Sequence, residues 1–349
     1  MDHQDEKHQR RVRYTGTHPK AYSEKYKELE PEKYIDTVEK VMRKGSTPAG
    51  MHRSICVDEI LSFMEITPGQ NGLDATLGYG GHTLEMLKCL DGKGHLYAID
   101  VDPIELPRTQ ARLESMGYGP EILTVRQMNF SSINQIIAES GPLDFILADL
   151  GVSSMQIDNP KRGFTFKTEG PLDLRLNPNK GQSAAERLKT ISQEELESIL
   201  RENADEPNAS QIARAIISER NKGNIIATTT QLQQIIKSRL KSISGSNSND
   251  EIKKACQRCF QALRIDVNNE FGVLYEFLEK LPDALAKGGR VAILSFHSGE
   301  DRLVKKSFQR LYRDGVYSEI TEEPIRASAE ERNTNGRARS AKLRWAIKA

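Results

Sequence analysis

The sequence has no apolar run near the roughly 20 residues that cross a bilayer, so no membrane-spanning helix is expected. Its first residues, MDHQDEKHQRR, lack an apolar segment, and no secretory leader is expected either. Cysteine is scarce, at 4 in 349 residues, which speaks against a disulfide-stapled scaffold and for a reducing, cytoplasmic setting. Cys256 and Cys259 form a lone CxxC, while Cys56 and Cys89 stand at no ligand spacing. A zinc site needs a second matched pair, so these are expected to be small residues on a helix, and no metal is expected. A charge excess is missing as well. The 50 Lys and Arg face 49 Asp and Glu, a net +1, so total charge neither supports nor excludes a nucleic-acid partner.

What is present is a changing periodicity. Residues 1–50 are polar, with Lys and Glu interleaved, and suggest an accessory extension with some helix over 21–44. Val57, Ile60, Leu61 and Met64 then fall at helical spacing, ahead of Pro68-Gly69. Short apolar runs and helical stretches alternate after that. Strands are predicted at 72–76, 95–100, 122–125 and 145–149, with helices through Leu84–Leu90, over 103–116 and over 132–139. Such alternation implies an α/β fold, a doubly wound parallel sheet with helices on both faces. The pattern stops after Ile157. Residues 158–180 are rich in Gly, Pro and Asn, and 182–262 are almost wholly helical, with a polar breaker at 244–250. Ser183 and Glu186 have capping-box spacing. One long helix is predicted over 264–286, then a Lys287–Arg290 turn, a strand at 291–296 and a helix at 300–313. Leu343, Trp345 and Ile347 alternate as in a half-buried strand. The expected organisation is one α/β domain, 51–157 plus 263–349, interrupted by a helical insertion, 158–262.

Ligands of doubly wound sheets bind beyond the carboxyl ends of the strands. Asp74-Ala75-Thr76-Leu77-Gly78-Tyr79-Gly80-Gly81-His82 supplies the first such loop, where glycines let backbone approach a ligand and helix-start N–H groups favour a carboxylate. Asp100 ends the second strand 20 residues after Gly80. A carboxylate there can accept both hydroxyls of an adenosine ribose, a geometry common to NAD and S-adenosylmethionine (SAM) sites. Thr83 stands where a dinucleotide fingerprint needs Gly or Ala, which weighs against a NAD-dependent oxidoreductase. Asp149 closes the apolar strand FILAD and is followed by the small, polar stretch Leu150–Gln156. It is read either as a site carboxylate or as a cap.

With these segments in view the chain resembles the ribosomal RNA small-subunit methyltransferase H (MraW) family. The carrying segments are DATLGYGGHT at 74–83, AIDVDP at 98–103, DLGVSSMQID at 149–158 and RGFTFKTEGPLDLRLNPNKGQSAAE at 162–186. FQALRIDVNNE at 260–270, LSFHSGEDRLVK at 294–305 and RARSAKLR at 337–344 continue it. The long RGF string is the most specific. The resemblance implies a class I SAM-methyltransferase fold, Rossmann-like, and an enzyme that methylates N4 of a cytosine in the decoding region of small-subunit rRNA. It implies SAM contacts at Gly80, Gly81, His82, Asp100, Phe130, Asp149 and Gln156. The expected substrate is an assembled small subunit, and a homodimer is expected. Two segments depart from the family pattern: Gly299 stands in the usual SFHSLEDR, and Asp205-Glu206-Pro207-Asn208 replaces a GEER-type segment.

For methyl transfer to an exocyclic amine, Asp149 is the expected proton acceptor, with Ser153 and Ser154 holding the base edge. His297 is read equally as a reacting group, given a reference pKa of about 6.5, or as a support for the pocket. Phe164 and Phe166, beside Lys161, suggest either a base-stacking surface or, preferred, an apolar anchor. Arg326, Arg332, Arg337, Arg339, Lys342, Arg344 and Lys348 form a basic end to the chain that suits phosphate contacts. The remaining alternatives are a SAM- and rRNA-binding assembly factor without turnover and a paralogue that methylates another RNA nucleotide.

Overall fold

The computed structural model describes residues 54–244 and 248–349; the expected helix over 21–44 and part of the breaker at 244–250 lie outside them. Amphipathic α1 (Val57–Met64) precedes β1 (Asn71–Asp74), α2 (Gly81–Leu90), β2 (His95–Asp100) and α3 (Glu105–Ser115). Then come β3 (Leu123–Gln127), a 3-10 turn at Phe130–Ser132, α4 (Asn134–Ser140) and β4 (Leu143–Asp149). β1 ends earlier than the apolar run suggested, because Asp74 turns the chain by accepting the Thr76 N–H at 3.0 Å.

A short α5 (Ser154–Asp158) leads into the helical segment: α6 (Ala184–Thr190), α7 (Gln193–Ala204), α8 (Ala209–Asn221), α9 (Thr229–Ser244) and α10 (Asn249–Asn268). The capping box of Ser183 and Glu186 starts α6 as its spacing predicts. The helix predicted over 264–286 is two helices. α10 runs to Asn268, Asn269 adopts a left-handed conformation at φ 49°, and α11 (Glu270–Ala284) starts anew. Asn is among the few residues that visit this region readily, so the break costs little.

β5 (Leu285–Ser295), α12 (Ser298–Arg313), β6 (Tyr317–Ile320), α13 (Ala329–Thr334) and β7 (Lys342–Lys348) complete the chain. The turn expected at Lys287–Arg290 is absorbed into β5 as an irregularity, with Leu285 opposite Leu143 and Arg290 opposite Phe145. The seven strands lie in the order β3-β2-β1-β4-β5-β7-β6. The first five are parallel, and β7 runs antiparallel to both neighbours. This is a Rossmann-like doubly wound sheet, and its order reverses between β1 and β4.

Alternate residues of each central strand feed opposite cores. Ile146 and Ala148 pack with α4, α11 and α12, while Phe145 and Leu147 pack with α1, α2 and α3. Both faces are covered, which is why these strands are continuous apolar runs. β7 follows the same logic and corrects the half-buried expectation: Leu343, Arg344 and Ala346 are buried and Trp345 only partly so. The helical segment closes over a separate core, from Leu172 through Leu263. Cys256 and Cys259 lie inside it, and burial pushes the Cys256 thiol up to about 11.

Candidate functional site

The tips of β1, β2 and β4 carry three acids, and each is built into backbone. Asp74 is 1% exposed; it takes the Thr83 hydroxyl at 2.6 Å as well as the Thr76 N–H. Thr83 is therefore where it is because a buried carboxylate needs a donor, and a glycine there would leave Asp74 short of one. Asp100 accepts from Gly78 N–H at 2.8 Å and from Asp102 N–H at 2.9 Å. Each oxygen keeps a second lone pair. The loop between them turns at Gly80, φ 66°, where an added Cβ would meet Thr109 at 2.9 Å. α2 starts directly after it with no side-chain cap, so its first N–H groups are available to a ligand.

Asp149 joins this constellation through Thr76, whose hydroxyl accepts the Asp149 N–H at 2.6 Å. Its Oδ2 lies 3.6 Å from Nδ1 of His82. His82 is 7% exposed, and its Nε2 pairs with the Ile55 carbonyl at 3.0 Å. Asp149 Oδ1 is cut off from solvent and has no hydrogen-bond partner. Burial holds the Asp149 carboxyl up at about 6; His82 pulls it down, while Asp74 and Glu300 push it further up. Asp100 is also raised to about 6, chiefly by burial. Asp74 is raised for the same reason.

A second network locks the β2 loop to the chain beyond β4. Asp102, 1% exposed, accepts from Gln156 Nε2 at 2.7 Å and from Arg162 at 2.6 Å. Arg162 also donates to the carbonyls of Arg175 and Leu176. Gln156 in turn shares a capping box with Ser153, accepting its N–H at 2.8 Å while Ser153 Oγ accepts the Gln156 N–H. Ser154 is the first residue of α5 and is half-buried. Sequence reasoning placed Gln156 and Ser153 but missed Asp102 and Arg162, although AIDVDP and RGF both stood out. Asn268 was missed too; it holds the intervening loop through Leu174 and Leu176.

Phe130 follows β3 and rests edge-on against Phe277, ring centroids 5.0 Å apart. Met128 N–H donates to the Asp100 carbonyl, which brings this turn beside the β2 tip. His297 caps α12: its Nδ1 accepts the Glu300 N–H at 3.4 Å, and Nε2 lies 3.2 Å from the Glu300 carboxylate. That histidine, together with Arg264, holds the Glu300 carboxyl below its usual range against the opposing effect of burial. Glu300 raises Asp149 in turn, so His297 is tied to the site through Glu300.

Other expected residues are engaged elsewhere. Phe164 and Phe166 pack on the helical core, with Arg162 over Phe164 and Phe166 against Phe260. Of the basic terminal residues, Arg344 is 3% exposed and, with Lys342, pairs with Asp301. Both are engaged with α12 rather than left free for phosphate. Glu206, in the departing 205–208 segment, is buried and paired with Arg258. Open N–H groups at α2, spare lone pairs on Asp100 and the orphaned Asp149 oxygen fit the amino-acid, ribose and reacting ends of SAM.

A family model described as the MraW methylase family matches residues 49–349. Ribosomal RNA small subunit methyltransferase H 2 of Alkaliphilus metalliredigens is 76% identical over 349 residues, covering 100% of both chains. Ribosomal RNA small subunit methyltransferase H 1 of Lachnoclostridium phytofermentans is 66% identical, covering 100% of this chain and 95% of its own. Ribosomal RNA small subunit methyltransferase H of Koribacter versatilis is 40% identical over 85% of this chain and 94% of its own. No helix among the described residues is long and apolar enough to cross a membrane. The chain belongs to the MraW methylase family, and S-adenosylmethionine is its cofactor.

Proposed function

We propose that this protein methylates N4 of a cytosine in the decoding region of small-subunit rRNA, acting in the cytoplasm on an assembled subunit. The observation that carries the reading is the Asp149 carboxylate at the β4 tip, whose side chain is 30% exposed while its Oδ1 finds no hydrogen-bond donor. An acceptor without a donor is costly, and a small turn of the carboxyl would present it to an amino group, a donor that would complete it. Bound SAM supplies a methyl group made electrophilic by its sulfonium.

The N4 lone pair of cytosine is delocalised into the ring, so the amine is a poor nucleophile. Asp149 accepts an amino hydrogen, localises that pair and receives the proton as the methyl transfers. A carboxyl raised to about 6 is ionised at neutral pH and more basic than an ordinary aspartate. His82, 3.6 Å from the other oxygen, draws the carboxylate towards itself without a hydrogen bond that would lock it. Ser153 Oγ, already accepting a backbone N–H, retains its own hydrogen for the base edge, and Ser154 lies next to it. His297 is a positioning residue that acts through Glu300.

Cofactor contacts are assigned to the N–H groups of Gly81 and His82 for the carboxylate, with Gly80, whose own N–H donates to the Leu77 carbonyl, allowing close approach, and to Asp100 for the ribose hydroxyls. The face of Phe130 packs on adenine, and Asp149 and Gln156 line the reacting side. The target base leaves its stack to enter, at a cost of a few kcal/mol. The helical segment is assigned to RNA recognition. Mass spectrometry of small-subunit rRNA from cells with and without the protein tests the reading: N4-methylcytidine is expected to disappear from the decoding region. An unchanged nucleoside profile would refute it.

A further inference from the structure

Charge is segregated within the helical segment. α7 carries Glu194, Glu195, Glu197 and Glu202 against Arg201, whereas residues 209–244 hold six Lys and Arg against the single Glu219. That carboxylate is paired with Lys222 and accepts a hydrogen bond from Asn224. Arg220 is spent on the carbonyls of Leu188 and Ile191. Arg214, Lys237, Arg239 and Lys241 remain, with no ion pair among the described residues.

Between α8 and α9 runs an open cleft of about 940 Å³, lined by Arg214, Ser218, Gln234, Arg239 and Ser242, with Ile225 among its walls. Arg239 Nε is buried with no hydrogen-bond partner. Arg239 itself is only partly buried and lines the cleft, so its guanidinium has no counter-charge, and phosphate is its best-matched anion. Ile225, 68% exposed, offers a ribose or base face an apolar contact. The cleft shares no lining residue with the strand-tip site. Arg214 and Arg239 outweigh the one acid of the lining, Glu219, which Lys222 already pairs; with side-chain amide and hydroxyl groups beside them they suit a polyanion better than a protein surface, which would be expected to bring acids and apolar area in balance.

We propose that the α8–α9 cleft grips the sugar–phosphate backbone of the RNA substrate apart from the target base, with Arg214 and Arg239 each pairing a phosphate. The proposal rests on the reading that the substrate is RNA. The test uses the full-length protein and in vitro transcribed small-subunit rRNA, with binding followed from about 50 to 200 mM salt. Arg214→Gln/Arg239→Gln is expected to bind about tenfold more weakly at low salt, with the slope of log K against log salt shallower by about one to two. SAM affinity should be unchanged. Arg214→Lys/Arg239→Lys should keep most of the binding, and Ser218→Glu, on the exposed rim, should weaken it with both arginines in place.

Unchanged affinity and slope in the Gln variant would overturn the proposal while leaving the RNA reading intact. Normal binding of naked rRNA with impaired methylation of assembled subunits would overturn it in favour of a ribosomal protein as occupant. If the wild-type protein binds neither this rRNA nor assembled small subunits at any salt, the proposal fails together with the reading beneath it.

Discussion

Asp149 is ionised at neutral pH against its surroundings. Burial, Asp74 and Glu300 favour its proton, and only His82 opposes them. Asp149→Asn removes the acceptor but keeps the shape, so methylation is expected to fall by about 10²–10⁴-fold with SAM affinity largely retained. The variant should also melt no lower than wild type at pH 8, since it removes a charge that the fold disfavours. Both Asp100 and Asp149 hold their protons to about pH 6 in the fold but only to 3.8 ordinarily. The native state thus binds more protons between those values, and their contribution to stability falls as pH rises through that window. Activity should move the other way. kcat/KM is expected to rise with pH to a plateau, with an acid limb near 6 that is absent from Asp149→Asn. A flat profile from pH 5 to 8 would remove Asp149 as the acceptor. Asp100 and Asp149 were legible in the sequence because a charge closing an apolar strand contradicts its surroundings. Arg162 was not, because its partner Asp102 lies 60 positions away and periodicity says nothing about such a pairing.

At the scale of elements, Asp102 and Arg162 join the β2 loop to the entry of the helical segment. Both are almost fully buried, so truncating either leaves an uncompensated charge, worth about 3–5 kcal/mol. Arg162→Met and Asp102→Asn are each expected to lose stability on that scale in urea unfolding. The double variant should lose clearly less than the two added together, and additive losses would show that the pair is not coupled. Arg162→Lys should not rescue, because one ammonium cannot reproduce a planar fork serving Asp102 and two carbonyls. Gly299 has an equally local explanation. An added Cβ would come within 2.6 Å of the Phe271 ring and 3.2 Å of His297 Nδ1. Gly299→Leu is expected to cost about 1–3 kcal/mol by overpacking, and Phe271→Ala in the same chain should recover much of it. Element ends were the least legible part. Asn269 splits an apparently continuous helix by its own backbone preference, and the Gly288-Gly289 pair bulges inside a strand where it looked like a turn. Strand β7 reads as alternating because Arg344 is polar; its burial depends on Asp301, on another element.

For the whole molecule, the alternation of apolar runs and helices was enough to specify a doubly wound sheet, because every central strand is buried on both faces. The antiparallel β7 between β5 and β6 was beyond reach, since strand order is set by packing across the sheet and leaves no local period. The helical segment has its own core, and the strand tips have theirs. SAM bound at the tips should therefore alter one region and spare the other. Hydrogen–deuterium exchange of the full-length protein with and without SAM tests this directly. The account predicts added protection confined to 74–83, 98–105, 127–132 and 147–158, with helices α6 to α9 unchanged. Protection centred on those helices, or none at the strand tips, would contradict it.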